Sequence, residues 1–189
     1  MKKVENEIPE GKKAKWVDGV LTLVDEKPQD ITERIKTFED ACEELGDEHP
    51  LVKEYWSVVN INLDITQDLI SYLKLRIIIT ALNEGWTPAF DEDECRYYPW
   101  FCIYTKEEYE KLDEEEKAHG VPLRSFHNAY ANGGLVCAHA NGGLVYASAN
   151  YAGSLSFTLY GVRLVLKTLE LAEYCGKQFM DIWVDFLFG

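Results

Sequence analysis

Four groups of residues in this 189-residue chain have types and spacings that could do chemistry. Cys137 and His139 stand two apart, as a thiolate–imidazole pair or two metal ligands would, and His127 lies in the same stretch. A nucleophilic cysteine needs a base in reach and a third group to orient that base, and no acid nearby marks itself for the role. Cys95 and Cys102 enclose six residues, whereas structural zinc sites pair ligands about two to four residues apart. These two are expected to be buried thiols. The run Asp91-Glu92-Asp93-Glu94 could attract calcium but lacks the following glycine and distal glutamate of an EF-hand loop, so it reads as a solvated turn. No G-x-S-x-G elbow is present, and Asn-Gly-Gly without a lysine does not cradle phosphate. The expectation is therefore no catalytic residue, no metal and no cofactor. A hydrolase or metal-dependent enzyme remains as an alternative.

The strongest pattern in the chain is a tandem nonapeptide, ANGGLVCAH at 131–139 followed by ANGGLVYAS at 140–148, identical at seven of nine positions. A third copy starts with Ala149-Asn150 and then departs. Asn-Gly-Gly supplies positions that accept positive φ, so each unit predicts a tight turn followed by a short strand. Nine residues is shorter than a usual solenoid unit, and the aspartate of calcium-binding nonapeptides is missing. Two compatible readings follow. One is local duplication in a tolerant loop. The other is a surface segment under pressure to vary, with the adaptable polar and aromatic residues of a recognition loop. Its candidate binding residues are Asn128, Tyr130, Asn132, His139, Asn141, Tyr146, Asn150 and Tyr151. A second, weaker contact surface is the aromatic run Tyr97, Tyr98, Trp100, Phe101 and Tyr104 with Trp86 before it, although such clusters are more often packing.

The elements that must hold these residues follow from periodicity. Residues 1–15 read as a flexible tail, and Trp16–Val24 as a hairpin around Asp18-Gly19. Asp30–Glu33 resembles a capping box opening a helix with apolar positions Ile31, Ile35, Phe38, Cys42 and Leu45, which Gly46 ends. Pro50 suits the first turn of a second helix. Thr66 opens a third, about 67–83, apolar on almost every side and so expected between layers. The stretch 97–104 predicts a strand, and Pro99 places it at an edge or beside a bulge. Thr105–Glu108 caps a fourth, highly charged helix to about Ala118, closed by Gly120 and Pro122. From Phe126 to Lys167 short apolar runs alternate with Gly-rich turns, which predicts an antiparallel meander. Thr168 caps a last amphipathic helix with Ala172, Cys175, Phe179, Ile182, Trp183 and Phe186 on its apolar face. The fold class is α+β: N-terminal helices plus a small antiparallel sheet with a C-terminal amphipathic helix packed on it. One domain is expected over 16–189, helix-rich to 118 and sheet-rich from 119.

Composition narrows the partners. The net charge is −14 and sits entirely in residues 1–118, with 29 of the 33 acids and 15 of the 19 bases. Beyond Lys12, Lys13 and Lys15 there is no basic cluster, so nucleic acid is not an expected ligand. No apolar stretch reaches the roughly 18 residues of a membrane span. The charged start, MKKVENEIPEGKKAK, does not read as a signal peptide. Five scattered cysteines argue for reduced thiols. The expected setting is cytoplasmic or virion-associated, without membrane insertion.

Several blocks resemble an uncharacterised family of short proteins from gut-bacterial genomes and their phages: LKLRIIITALNEGW (73–86), YYPWF (97–101), GVRLVLK (161–167) and ELAEYCGKQF (170–179). In that family a divergent Gly-, Ser-, Tyr- and Phe-rich segment lies between the second and third blocks. Here that interval holds the repeat. A looser likeness is to C-type-lectin-like variable proteins, where a Ser/Asn/Tyr-rich stretch runs into a closing G-F-R-L strand. ASANY (147–151) and Gly161-Val162-Arg163-Leu164 stand in that order. This likeness implies that Arg163 is structural and that residues 128–157 are the diversified ones. Val162 in place of the aromatic residue, and the helix that follows, depart from the pattern.

Together these features imply a non-enzymatic recognition or accessory protein of phage or mobile-element origin that presents 128–157 to a protein or cell-surface glycan. The alternative is a structural or assembly subunit, homo-oligomeric or bound to a virion, docking through the C-terminal helix with Trp183, Phe186, Leu187 and Phe188.

Overall fold

The computed structural model describes residues 8–9, 11–25, 28–61, 64–88, 94–118, 120–122, 143–153 and 163–189. The first two strands, β1 (Lys12–Val17) and β2 (Val20–Asp25), pair antiparallel through six residues each. Asp18 and Gly19, with φ of 49° and 78°, make the turn expected of an Asp-Gly hairpin. The ladder begins at Lys12, inside the stretch expected to be tail, because Lys12–Lys15 find partners in Thr22–Asp25. β1 lies exposed along its whole length.

The first predicted helix is two helices, α1 (Ile31–Arg34) and α2 (Phe38–Leu45). Asp30 caps the first by accepting from Thr32 N–H, without reciprocation from Glu33. The full capping box lies seven residues on, where Thr37 and Asp40 bond each other's backbone amides. The break is stabilised from outside. Tyr174 Oη donates to the carbonyls of Thr32 (2.9 Å) and Ile35 (2.6 Å), and Gln178 Nε2 donates to that of Lys36 (2.8 Å). Carbonyls that a continuous helix would have used internally are satisfied by a distant element. Gly46, at φ 84°, caps the end of α2 as expected.

Helix α3 (Pro50–Val59) starts on its proline, with His49 Nδ1 accepting from Leu51 N–H. Helix α4 (Gln67–Leu82) buries Leu73, Leu75, Ile77, Ile78, Ile79, Ala81 and Leu82 against α2, α3 and the C-terminal end of the chain. Thr66 holds its N-cap position without a side-chain hydrogen bond.

Strand β3 (Cys95–Tyr104) satisfies both expectations from Pro99: it lies at a sheet edge, and its register shifts between Trp100 and Phe101. The charged helix is likewise divided, into α5 (Lys106–Lys111) and α6 (Glu114–Ala118), with Leu112 extended between them. Gly120–Pro122 does more than close that helix, since it forms a short strand, β4. The remaining strand, β5 (Gly143–Gly153), inserts between the other two, giving the order β3-β5-β4 with antiparallel pairing throughout. The meander expected over 126–167 is described only in part, by the strand β5. Two of its predicted runs, 135–138 and 155–160, lie outside the described residues.

The predicted closing strand at 161–167 is a single bridge in its described part. Leu166 exchanges both backbone hydrogen bonds with Tyr97 (2.8 and 3.1 Å). Its neighbours bond a side chain instead: Asn83 Nδ2 donates to Val165 C=O (2.9 Å) and Asn83 Oδ1 accepts from Lys167 N–H (3.0 Å). One buried amide replaces a strand partner here.

The last helix bends at Phe179 into α7 (Leu169–Gln178) and α8 (Met180–Phe188). Thr168 caps the first by accepting from Leu171 N–H. The bend divides one apolar stripe between two partners, since α7 packs on β3 and β5 while α8 packs on α4. Trp183, with no exposed surface, closes the core against Phe101 and Phe186 at ring-centroid distances of 5.7 and 6.0 Å. The chain is therefore an α+β protein with its C-terminal helices packed on sheet and helix. Among the described residues no helix is long and apolar enough to cross a membrane.

Candidate functional site

The described part of the second nonapeptide is strand. Residues 143–148 of it, continued by Ala149–Gly153, make the central strand of the sheet. Three of the eight candidate binding residues fall on this strand: Tyr146 opposite Phe101, Asn150 opposite Tyr98 and Tyr151 opposite Tyr97. Asn128, Tyr130, Asn132, His139 and Asn141 lie outside the described residues, as do Cys137 and His127. Ala147 has no cross-strand partner and marks the bulge, a device that re-aims a strand beside a functional edge.

The strand facing this segment is mostly packing. Arg96, Tyr98 and Pro99 are buried, and Tyr97, Phe101 and Tyr104 are half-buried, as is Trp86. Trp100, 40% exposed and opposite Ser148, is the aromatic residue of β3 that offers a surface to solvent. At the start of the strand Glu94 approaches Arg96 Nε at 3.7 Å, which assigns the described end of the acidic run to an ion pair.

No protein-family model, curated protein or solved structure matches the chain. What the arrangement can do must be read from its own residues.

A second polar group, which periodicity could not reveal, anchors the segment that follows the sheet. Arg34 donates to the carbonyls of Pro28 and Gln29 and to the carboxylates of Glu44 (3.3 Å) and Glu84 (3.0 Å). Glu84 also accepts from Lys167 Nζ at 2.9 Å. The hydrogen bond from Lys167, then that from Arg34, holds the Glu84 carboxyl below the usual glutamate range. This knot ties α1, the end of α4 and the 163–168 segment into one body. Its only sequence signal was Asn83-Glu84 directly after a buried helix.

The thiols differ from expectation. Cys95 is exposed and Cys102 half-buried, so among the described residues only Cys175 is a fully buried thiol, with Cys42 intermediate. Burial pushes Cys42 up to about 11 and Cys175 up to about 12, the opposite of what a nucleophile requires. Among the described residues no three His, Cys, Asp or Glu side chains converge as a metal cluster would.

A groove of about 530 Å³ opens between α2, α4 and the α7–α8 bend, with Lys74, Lys177, Glu39 and Asp181 around Phe38 and Phe179. Its charges cancel and its surface is open. It does not select a ligand.

Proposed function

We propose that this chain is a non-enzymatic recognition or accessory protein of phage or mobile-element origin, presenting residues 128–157 to a protein or a cell-surface glycan. The observation that carries the reading is the placement of the repeat. Residues 143–153, part of a segment rich in Gly, Asn, Tyr and Ser, form the middle strand of a helix-backed sheet, so Tyr146, Asn150 and Tyr151 stand on a regular strand. Binding residues on loops and strand ends positioned by a rigid scaffold are the usual arrangement in recognition domains. The resemblance of four sequence blocks to gut-bacterial and phage proteins supplies the origin in this reading. Their divergent interval coincides with the segment proposed to bind.

The test is a binding screen against cell-surface glycans and host surface proteins, run with the wild-type chain and with a variant lacking residues 131–139. Selective binding that the deletion weakens or redirects is expected. Equal binding by both, or by neither, would sink the reading.

An assembly subunit is the second reading, but its docking surface moves. The C-terminal helices spend Trp183 and much of Phe186 inside the chain, where Phe186 stacks on Tyr72 at 6.0 Å. Exposed apolar side chains gather instead on the β1–β2 hairpin, where Trp16 is 69% exposed and Val20 and Leu21 are also open. Such a hairpin is marginal alone. Light scattering of wild type and Trp16→Asp distinguishes the readings. A concentration-dependent oligomer lost on substitution favours assembly, and a monomer in both removes it.

A further inference from the structure

We propose that the β1–β2 hairpin pairs edge to edge with the same hairpin of a second copy, through β2, to make a four-stranded antiparallel sheet. The inference rests on the assembly reading and names its contact; it is independent of what residues 128–157 bind. The hairpin has a well-specified turn and uncovered faces. Asp18 and Gly19 take the positive φ values the turn needs, yet every residue from Gly11 to Leu23 is exposed. Among the described residues β1 and β2 form a sheet of their own. Two strands alone are marginally stable in water, and further strands or a covering layer are what make a hairpin persist.

The two outer edges of this small sheet differ. β1 carries Lys12, Lys13 and Lys15 within six residues, and Lys12 N–H, turned away from β2, donates to Pro9 C=O at 3.1 Å. Lysines and covering chain are devices that close a sheet edge. On β2 the run Val20-Leu21-Thr22-Leu23-Val24 is uncharged, and three of its five residues are β-branched. Among the described residues its strand partner is β1 alone. An edge of this composition is a template for another strand.

The occupant is a second copy because β2 is complementary to itself. In a two-residue hairpin the residues flanking the turn, Val17 and Val20, exchange both backbone hydrogen bonds. The amides and carbonyls of Leu21 and Leu23 then face outward, and those of Thr22 face β1. A two-fold axis through Thr22 sets Leu21 against Leu23 of the second copy, and the reverse, as hydrogen-bonded pairs. Thr22 meets its own counterpart, a cross-strand pair that favours the sheet. Moving the axis to Leu23 would put Leu21 opposite Asp25, and moving it to Leu21 would bring the turn glycine into the ladder. Opposite residues share a face, so the apolar row Trp16–Leu21 continues into Leu23 and Ala14 of the second copy. The polar row Lys15–Thr22 continues into Thr22 and Lys15, and the two rows stay on their own sides.

Charge does not oppose the contact, although each chain carries −14. Antiparallel pairing sends the two chains off at opposite ends of the joined strands, with their Asp25 positions about 20 Å apart at roughly 3.3 Å per residue. Exposed charges farther apart than about 8–10 Å are largely screened. The lysine-bearing β1 strands form the outer edges of the four-stranded sheet, so growth stops at two copies. An isologous contact of this kind closes instead of running on as a filament. So small a contact belongs to the weak, concentration-dependent class.

Cross-linking of the full chain tests the register. In a background of Cys95→Ser, Cys102→Ser and Cys137→Ser, the single variants Leu21→Cys, Thr22→Cys and Leu23→Cys are oxidised with oxidised glutathione, and covalent dimer is read on non-reducing gels. Of the three, position 22 alone lies opposite itself, at a Cα separation of about 4.5 Å that suits a disulfide. Thr22→Cys should give several-fold more covalent dimer than either neighbour. Proline tests the edge in the natural sequence. Leu23→Pro removes an outward N–H and spares the β1–β2 ladder, and Ala14→Pro does the same on the β1 edge. Light scattering should show a concentration-dependent dimer that Leu23→Pro abolishes and Ala14→Pro retains, with the helical circular-dichroism signal unchanged in all three chains. A dimer that survives Leu23→Pro or is lost equally with Ala14→Pro, a cross-link maximum at 21 or 23, equal yields at all three positions, or a species larger than a dimer would each overturn the β2 pairing and leave assembly through the hairpin standing. A monomer at every concentration, with no cross-link at 22, overturns both.

Discussion

Asn83→Ala removes a side chain that acts as a piece of backbone. Asn83 is 5% exposed, and its amide donates to Val165 C=O at 2.9 Å while accepting from Lys167 N–H at 3.0 Å. Each hydrogen bond contributes about 0.5–1.5 kcal/mol net, and a buried group left without a partner costs about 1–3 kcal/mol. Lys167 is half-buried and can find water, whereas Val165 is buried. The loss should therefore fall at roughly 2–4 kcal/mol, dominated by the Val165 carbonyl. Urea unfolding followed by tryptophan fluorescence reads this directly, since Trp183 lies in the core that opens. Asn83→Asp sharpens the test. Its carboxylate can accept from Lys167 but sets an anion against Val165 C=O, and burial raises the pKa of such a group. The protonated carboxyl can donate where the amide did. The sign follows: a folded-state pKa raised above the unfolded value means stability present at low pH and lost as pH rises through the folded pKa. The deficit of Asn83→Asp against wild type should shrink toward acid pH, while that of Asn83→Ala should not. A loss under about 0.5 kcal/mol for Asn83→Ala, within the ordinary range of surface substitutions, would refute the assignment of Asn83 as the clamp on 163–168.

Three other outcomes follow from the same structure. Tyr174→Phe removes a hydroxyl that serves the carbonyls of Thr32 and Ile35; a loss of about 1–2 kcal/mol is expected, measured by thermal unfolding as roughly 2–8 °C in Tm for a domain of this size. The carboxyl of Glu84, depressed by Lys167 and then Arg34, contributes stability present above its unfolded pKa and lost as pH falls through the lower folded one; Glu84→Gln should flatten the acid side of a stability–pH curve while leaving its alkaline side parallel to wild type. In native protein at neutral pH, Ellman's reagent should modify exposed Cys95 quickly and leave Cys42 and Cys175 unmodified until urea is added, because burial holds those thiols at about 11 and about 12.

Local chemistry was legible wherever one residue type decides one dihedral or one cap. Asp18-Gly19, Gly46, Pro50, Thr105 and Thr168 each did what their side chains dictate, and the all-round apolar run of α4 announced its burial. The divided helices were not legible. Ile31–Leu45 keeps a continuous helical period across the break because α1 and α2 present apolar residues to the same core. What separates them is a capping box at Thr37 and three carbonyls served by Tyr174 and Gln178, more than a hundred residues away. The same holds at Phe179, where one stripe serves two partners, and at Val165–Lys167, where a β-favouring sequence has its ladder positions taken by Asn83. Periodicity reports which face is buried and is silent on what buries it. For the site, the turn-then-strand reading of the nonapeptide anticipated β5, but strand order is a property of long-range pairing, and nothing local indicated that β5 would insert between β3 and β4.

That insertion changes what variation in this segment can mean. A central strand is paired on both sides, so a single inserted residue within Gly143–Gly153 would shift every later partner of β3 to the opposite face. Substitution is tolerated there only where the side chain does not meet the core, and length change only outside the strand. Residues 123–142 and 154–162 flank the strand in sequence, and Pro122 opposite Gly143 fixes where the first stretch must return. A duplication that enters before Gly143 therefore adds chain to a closed connection and leaves every β3–β5 pair in place. The tandem repeat has this placement: its second copy supplies the first six residues of the strand, and its first copy lies wholly before it. Tolerance of duplication and retention of a rigid strand are thus the same topological fact, and a segment that must change its contacts without losing its scaffold requires both.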